Sequence, residues 1–225
     1  PLGVFLSGGI DSGLIASILA KKTNAKNVAS FTLGFSNPKY DESKNAKIIA
    51  SHLGIDTKVE YFESEEMTKN VMDALMTMDE PMSDPSIIPT YVLSKFARKY
   101  VTVILSGDGG DELFGGYPKY SAIRIANILD KLPNIIKSNF FNSILFFLQK
   151  TNLENKFDTT RRFLMGMKFP MSLRTLIWVS VFFPKEVDRI TLQPSENIGL
   201  FREIEDHNRN FKGRDQIDRA LYLDF

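Results

Sequence analysis

The chain has 225 residues, of which 43% are apolar and 24% charged, and a formal net charge of +1. That composition describes a folded globular protein of one or two domains with material for a core; it excludes a disordered chain and supplies no electrostatic reason for a nucleic-acid or other polyanionic partner. Cysteine is absent, which rules out a disulfide, a thiolate zinc site and a cysteine nucleophile within these residues.

Gly3-Val4-Phe5-Leu6 predicts a short buried strand, followed by a helix with Leu14, Ile15, Ile18 and Leu19 as its apolar positions. Residues 28–35 predict the next strand. Asp41 is placed to cap a helix over 42–53, with Ala46, Ile49, Ala50 and Leu53 on one face and Gly54 closing it. Residues 58–62 predict a third strand, and Ser64 with Met67, Val71, Leu75 and Met78 a capped amphipathic helix. Pro81, Pro85 and Pro89 predict an irregular loop over 79–89, before a helix over 91–100 and a strongly buried strand over 101–105. Strands that alternate with helices in this way are the pattern of a mostly parallel α/β sheet flanked by helices.

Beyond Tyr117 the strand pattern stops. Helices are expected over 120–132, 139–148, 159–167, 173–183 and 215–223, their apolar residues forming the core of a bundle. No internal repeat or low-complexity segment interrupts the chain. The expected organisation is therefore an α/β core over 1–120 and a helical extension over 121–225. The first part is slightly acidic and the second slightly basic, an asymmetry that fits two ordinary solvated surfaces. The most apolar stretch, 140–148, contains Asn142 and Ser143 and falls well short of the ~20 residues of a membrane span. No basic-then-apolar leader opens the sequence; it enters a strand directly after Pro1, which suggests that the natural N-terminus lies upstream. His52 and His207 lack the spacing of metal ligands, and His52 is placed near a helix C-terminus, where a partly cationic group is favourable.

The densest chemical signal is Ser7-Gly8-Gly9-Ile10-Asp11-Ser12, between the first strand and the first helix. A loop in that position aims backbone N–H groups at one point, where the helix dipole adds partial positive charge. Gly8 and Gly9 permit close approach to a phosphate, and Ser7 and Ser12 offer hydroxyl donors. Asp11 would repel a bare phosphate, but it can share Mg²⁺ with one, so the motif points to a metal–polyphosphate ligand. A plain Gly-Gly turn with Asp11 as a helix cap is the competing reading. Neither the Walker pattern nor the dinucleotide fingerprint is present.

A second motif, Ser106-Gly107-Asp108-Gly109-Gly110-Asp111-Glu112-Leu113-Phe114-Gly115-Gly116-Tyr117, follows the strand expected over 101–105. In parallel sheets the loops at the carboxyl ends of strands gather at one edge, so the loops after Leu6 and Leu105 are expected to face one crevice. Asp11 and Asp111 could there hold Mg²⁺ jointly. The acidic spacing is not that of an EF-hand, and the glycine density argues for close backbone approach rather than a solvated turn.

The first motif resembles the pyrophosphate loop of the ATP pyrophosphatases, which split ATP between the α- and β-phosphates, adenylate an oxygen atom and release pyrophosphate. Gly107-Asp108-Gly109-Gly110-Asp111-Glu112-Leu113-Phe114-Gly115-Gly116-Tyr117 resembles their asparagine synthetase branch, as do Phe31-Thr32-Leu33-Gly34-Phe35, Tyr40-Asp41-Glu42-Ser43, Asp79-Glu80-Pro81 and Asp84-Pro85-Ser86. The resemblance covers residues 1–120 and only loosely the rest. It implies an adenine nucleotide alpha hydrolase-like fold, ATP and Mg²⁺ as ligands, and aspartate and glutamine-derived ammonia as substrates. It also implies an N-terminal glutaminase domain in the full-length chain, a cytoplasmic enzyme and scope for a homodimer, with no nucleic-acid or membrane partner. Ser7, Gly8, Gly9, Asp11 and Ser12 would hold the pyrophosphate end; Leu6 and Leu33 would meet the adenine through backbone groups; Gly107 would meet the ribose or α-phosphate, and Ser106 would belong to the same ATP-binding set. Asp108, where the family often has Glu, would orient the acceptor or take a proton from the attacking amine. The family's glutaminase cysteine and a later catalytic lysine fall outside these residues, so the isolated stretch is expected to be inactive. Related ligases acting on a sugar acid or closing a ring, and a non-turning-over ATP-binding domain, are the alternatives.

Overall fold

The computed structural model describes residues 1–62, 67–80, 84–133, 139–144, 146–147, 157–191 and 199–224. The chain divides into two compact units, Pro1–Gly110 and Asp111–Phe225.

In the first unit a four-stranded sheet contains β1 (Leu2–Phe5), β2 (Ala29–Phe35), β3 (Asp56–Phe62) and β4 (Val103–Leu105) in the order β3-β2-β1-β4. Every pairing is parallel, with Gly3 opposite both Ala29 and Ile104, and Ala29 opposite Asp56. The connecting helices are α1 (Ile10–Lys22), α2 (Ser43–Leu53), α3 (Met67–Leu75) and α4 (Ile87–Ala97). A parallel sheet is buried on both faces, and strand alternation sorts its residues between them. Val4 and Leu6 pack with Ala16, Leu19, Ala46 and Ala50 of α1 and α2. Phe5, Ala29, Phe31 and Ile104 pack on the other face with Phe96 and Ala97 of α4. The polar residues that β2 buries are satisfied: Ser30 Oγ donates to Thr57 Oγ1 at 3.0 Å and Thr32 Oγ1 to the Leu6 carbonyl at 2.7 Å.

The alternating elements appear as the sequence predicts, with informative shifts. The helix expected from Glu42 begins one residue later, at Ser43, with Glu42 and not Asp41 in the N-cap position and no side-chain cap; Asp41 stands one residue earlier and supports the turn into the helix. Its Oδ1 accepts the Ser43 N–H at 3.1 Å and the Phe35 N–H at 3.4 Å, and the hydrogen bonds from Ser43 hold its carboxyl below the usual carboxylate range. Gly54 ends the same helix at φ 69°, a conformation that disfavours any residue with a Cβ. Pro89 does not break structure as expected. It lies in the first turn of α4, where its missing N–H has no intrahelical partner to lose.

The face of α3 is also displaced from the expected Met67, Val71, Leu75 and Met78. Leu75 is exposed, whereas Ala74 and Asn70, one turn apart, are buried. The expected cap Ser64, and Pro81, lie outside the described residues. Finally, β4 is not strongly buried. It forms the edge of the sheet with β1 as its one partner, and Val103 and Leu105 are exposed; burial in that segment belongs to Val101 just before it.

The second unit is helical: α5 (Gly110–Phe114, opening on the last residue of the first unit), α6 (Pro118–Leu129), α7 (Asp158–Gly166), α8 (Met171–Val179), α9 (Pro184–Thr191), α10 (Gly199–Asn210) and α11 (Gln216–Asp224), with 139–144 also helical. The helix expected over 173–183 is two helices. Ser180 is extended (ψ 137°), and Pro184, which disfavours helical geometry in the residue before it, opens the next helix, where Glu186 accepts the Phe183 N–H at 2.8 Å. Tyr120, Ile123, Ala126, Leu164, Trp178 and Ala220 form the core. Beside it Arg174, 6% exposed, meets Asp130 through two guanidinium nitrogens, one of them at 3.0 Å, and donates to the Phe169 carbonyl at 3.0 Å. Among the described residues no helix is long and apolar enough to cross a membrane.

Two stability predictions follow from the packing. Phe31 is fully buried and meets Phe96 edge-on, with ring centroids 5.9 Å apart, so Phe31→Ala should cost about 3–5 kcal/mol in urea denaturation. Asp130→Ala strands the buried Arg174 guanidinium and should cost about 3–5 kcal/mol, whereas replacing both partners by apolar residues should recover much of the loss.

Candidate functional site

The strand order locates the site. The chain runs outward from β1 to β2 and β3, then returns to lay β4 on the other side of β1. The order therefore reverses between β1 and β4, and in open parallel sheets a crevice opens there at the carboxyl ends of the strands. The loops that leave those two ends are the two motifs, beginning at Leu6 and Ser106.

The first loop is held by its own hydroxyls. The Ser7 N–H donates to Ser12 Oγ at 3.1 Å, the Ser7 and Ser12 hydroxyls lie 2.8 Å apart, and the Gly9 N–H donates to Ser7 Oγ at 3.0 Å. Gly9 is the N-cap of α1 in extended geometry, with no side chain capping the helix, and Asp11 stands in the first turn. The positive end of the helix dipole is thus uncovered by a neutral cap and accompanied by one carboxylate.

The Gly8 N–H donates to Glu42 Oε2 at 3.1 Å. An oxyanion already sits on a loop N–H, the kind of contact a phosphate oxygen makes at a helix N-terminus. The donor set therefore fits an anionic ligand. Glu42 had no assigned role in the sequence reading. Its signal was its position at the start of α2, where the chain re-enters structure after the carboxyl end of β2, the same edge of the sheet as the two motifs.

Gly8 is needed for a reason other than ligand approach. Its φ is not positive, and a Cβ there would lie 2.8 Å from the Asn45 Cβ, so the missing side chain lets α2 close on the loop. Leu6 is 2% exposed. Its N–H donates to the Phe31 carbonyl at 3.0 Å and its carbonyl accepts from Thr32, which leaves one carbonyl lone pair for a ligand. Leu33 is buried in β2 opposite Glu60.

The second loop folds onto the first. A Cβ at Gly107 would lie 2.7 Å from the Ser12 nitrogen, and a Cβ at Gly110 would lie 2.5 Å from Asp11 Cγ. Only glycine permits this approach, and it brings Asp11 against residues 107–110. Gly109 turns the loop at φ 84°, and the Gly110 N–H returns to the Gly107 carbonyl at 3.1 Å. Ser106 Oγ donates to Asp108 Oδ2 at 2.8 Å, which fixes the carboxylate chosen from sequence as the acid–base candidate.

Asp111 opens the second unit, so its joint action with Asp11 stays an expectation. Within that unit the Tyr117 hydroxyl donates to Glu112 Oε1 at 2.6 Å and holds the Glu112 carboxyl below its ordinary range. Among the described residues no group of three or more His, Cys, Asp or Glu could hold a metal ion. A Mg²⁺ bound by one or two carboxylates and the oxygens of a phosphate needs no such cage.

The family model described as Asparagine synthase matches residues 1–225. The chain is 37% identical over 137 residues to a putative glutamine-hydrolysing asparagine synthetase 2 of Methanocaldococcus jannaschii, covering 61% of this chain and 26% of that one. It is 39% identical over 137 residues to the glutamine-hydrolysing asparagine synthetase 1 of Bacillus subtilis, covering 61% and 21%. A putative glutamine-hydrolysing asparagine synthetase 1 of Methanocaldococcus jannaschii is 27% identical over 234 residues, covering 99% of this chain and 41% of its own length. The chain thus spans well under half the length of these curated relatives. Because the family model matches it from first residue to last, the chain belongs to the asparagine synthase family.

Proposed function

We propose that the chain is the ATP-binding synthetase part of a glutamine-hydrolysing asparagine synthetase, working with a glutaminase domain of the same full-length protein. The observation that carries this reading is the closure of two glycine-rich loops at the β1–β4 switch point, with an oxyanion already seated on the Gly8 N–H.

In the proposed reaction an oxygen of the aspartate side-chain carboxylate attacks the α-phosphorus of ATP, and the bond to the β-phosphate oxygen breaks, releasing pyrophosphate. Ammonia then attacks the acyl carbon, loses a proton and expels AMP, leaving the amide. The loop N–H groups of Ser7, Gly8 and Gly9 and the hydroxyls of Ser7 and Ser12 bind the pyrophosphate end by exchanging their internal partners for phosphate oxygens. That exchange is close to neutral in hydrogen bonds, so net binding rests on the helix dipole and on charge compensation. Asp11 and Asp111 would each offer a carboxylate to Mg²⁺, which would supply positive charge for that compensation. Leu6 and Leu33 line the adenine, and Ser106 and Gly107 the ribose or α-phosphate. Asp108, held by Ser106, orients the acceptor or takes the proton from ammonia.

With aspartate as acceptor, the full-length enzyme should form AMP and pyrophosphate in a coupled product assay; formation of ADP would overturn the reading. Asp11→Asn and Asp111→Asn should each abolish aspartate-dependent ATP–pyrophosphate exchange with an unchanged circular dichroism spectrum, since each removes a ligand charge. Gly110→Ala should lower the same exchange by at least about tenfold, because its Cβ would displace Asp11 from the loop.

A further inference from the structure

The opposite edge of the sheet carries a second constellation, two strand spacings (about 10 Å) from β1. Over β3, between α3 and α4, lies a cleft of about 270 Å³ lined by Glu60, Lys69, Asn70, Lys95, Phe96 and Lys99. Its volume falls just below the usual range of about 300–1,000 Å³ for ligand pockets, so only a small ligand fits.

Its lining is not an ordinary solvated charge run. Asn70 lies on the buried face of α3, one turn from Ala74. It is 9% exposed as a residue and lines the cleft, where its amide is open to water and has no hydrogen-bond partner among the described residues. The three lysines are unequal. Lys95 is committed, with Asp73 at 3.3 Å and the Tyr91 ring at 5.3 Å. Lys99 lies over the Phe96 ring at 5.6 Å, and among the described residues neither Lys99 nor Lys69 forms an ion pair with a carboxylate. Two ammonium groups without carboxylate partners, one unpaired amide and one carboxylate therefore share a small concave space.

The mixture selects the ligand. Lys69 and Lys99 call for an anionic group. Glu60 would repel a phosphate dianion but would accept a hydrogen bond from an ammonium. Asn70 both donates and accepts, so it can read a polar side chain. We propose that this cleft is a binding site for a small zwitterionic amino acid, with its carboxylate on Lys69 and Lys99, its ammonium on Glu60 and its polar side chain on Asn70. The proposal rests on the cleft alone and does not depend on the reaction assigned to the glycine-rich loops.

The test is calorimetric titration of the full-length protein with L-asparagine and L-glutamate, alongside acetate and inorganic phosphate. Four variants are compared: Lys69→Gln with Lys99→Gln, Glu60→Gln, Asn70→Ala and, as a control for the loop site, Asp11→Asn. The double lysine variant carries the test, because both side chains lie at the surface and their loss leaves the core intact; Asn70→Ala is read only if its melting temperature is unchanged. The expected result is amino-acid binding that survives Asp11→Asn, weakens at least tenfold in the double lysine variant and weakens in Glu60→Gln while acetate binding does not. Amino-acid binding that is absent, or unaffected by the lysine substitutions, would overturn the proposal. So would tighter binding of inorganic phosphate than of either amino acid.

Discussion

The structure of the first unit depends on how closely two backbones approach. The loop after β4 lies against the first turn of α1 so tightly that a single methyl group at residue 107 or 110 would overlap Ser12 or Asp11. That contact presupposes several others. β1 and β4 must be neighbours, which requires the chain to cross back over β1 after β3. α1 must begin immediately after the loop, which Gly9 allows by taking extended geometry without a capping side chain. Once these conditions hold, Asp11 has one place to be, against residues 107–110.

The same closeness explains how polar groups are distributed around the loop. Ser7 and Ser12 bond each other and the loop backbone, and Glu42 reaches in from the start of α2 to the Gly8 N–H. On the proposed reading these donors exchange their internal partners for phosphate oxygens, and such an exchange changes little in net hydrogen bonding. On the proposed reading, discrimination between states of the site then falls to charge. Glu42 and Asp11 bring negative charge to a place where the helix dipole is positive, and a polyphosphate would add more, which makes a divalent cation the natural companion of the ligand.

The second unit obeys a different constraint. Its core is built from Tyr120, Ile123, Phe141, Leu164 and Trp178, with an ion pair between Arg174 and Asp130 at its side. The pair holds a charge that the surrounding apolar residues cannot solvate, so each partner fixes the other's position. A polar residue also lies on a buried helix face in the first unit, at Asn70, which lines the cleft over β3.

What the sequence by itself determined is whatever depends on short-range chemistry. The parallel α/β pattern follows from apolar strands alternating with amphipathic helices, and the close of α2 follows from Gly54, whose left-handed cap needs only neighbouring residues. The two glycine-rich motifs were legible because their residue types serve one kind of backbone geometry. Tertiary structure decided whatever depends on which elements become neighbours. β4 reads as a buried strand from its Val, Ile and Leu residues, yet it is exposed because it ends the sheet, and composition carries no record of strand order. The face that α3 buries turned from Leu75 to Asn70 and Ala74 in the packing of α3 against α4. Glu42 is a plain acidic residue in sequence; it becomes part of the site because the strand before it ends at the same edge as β1. Gly8 has a role fixed by Asn45, a residue 37 positions away along the chain. Close contacts between residues distant in sequence come from the fold as a whole, and a local motif, however specific, does not contain them.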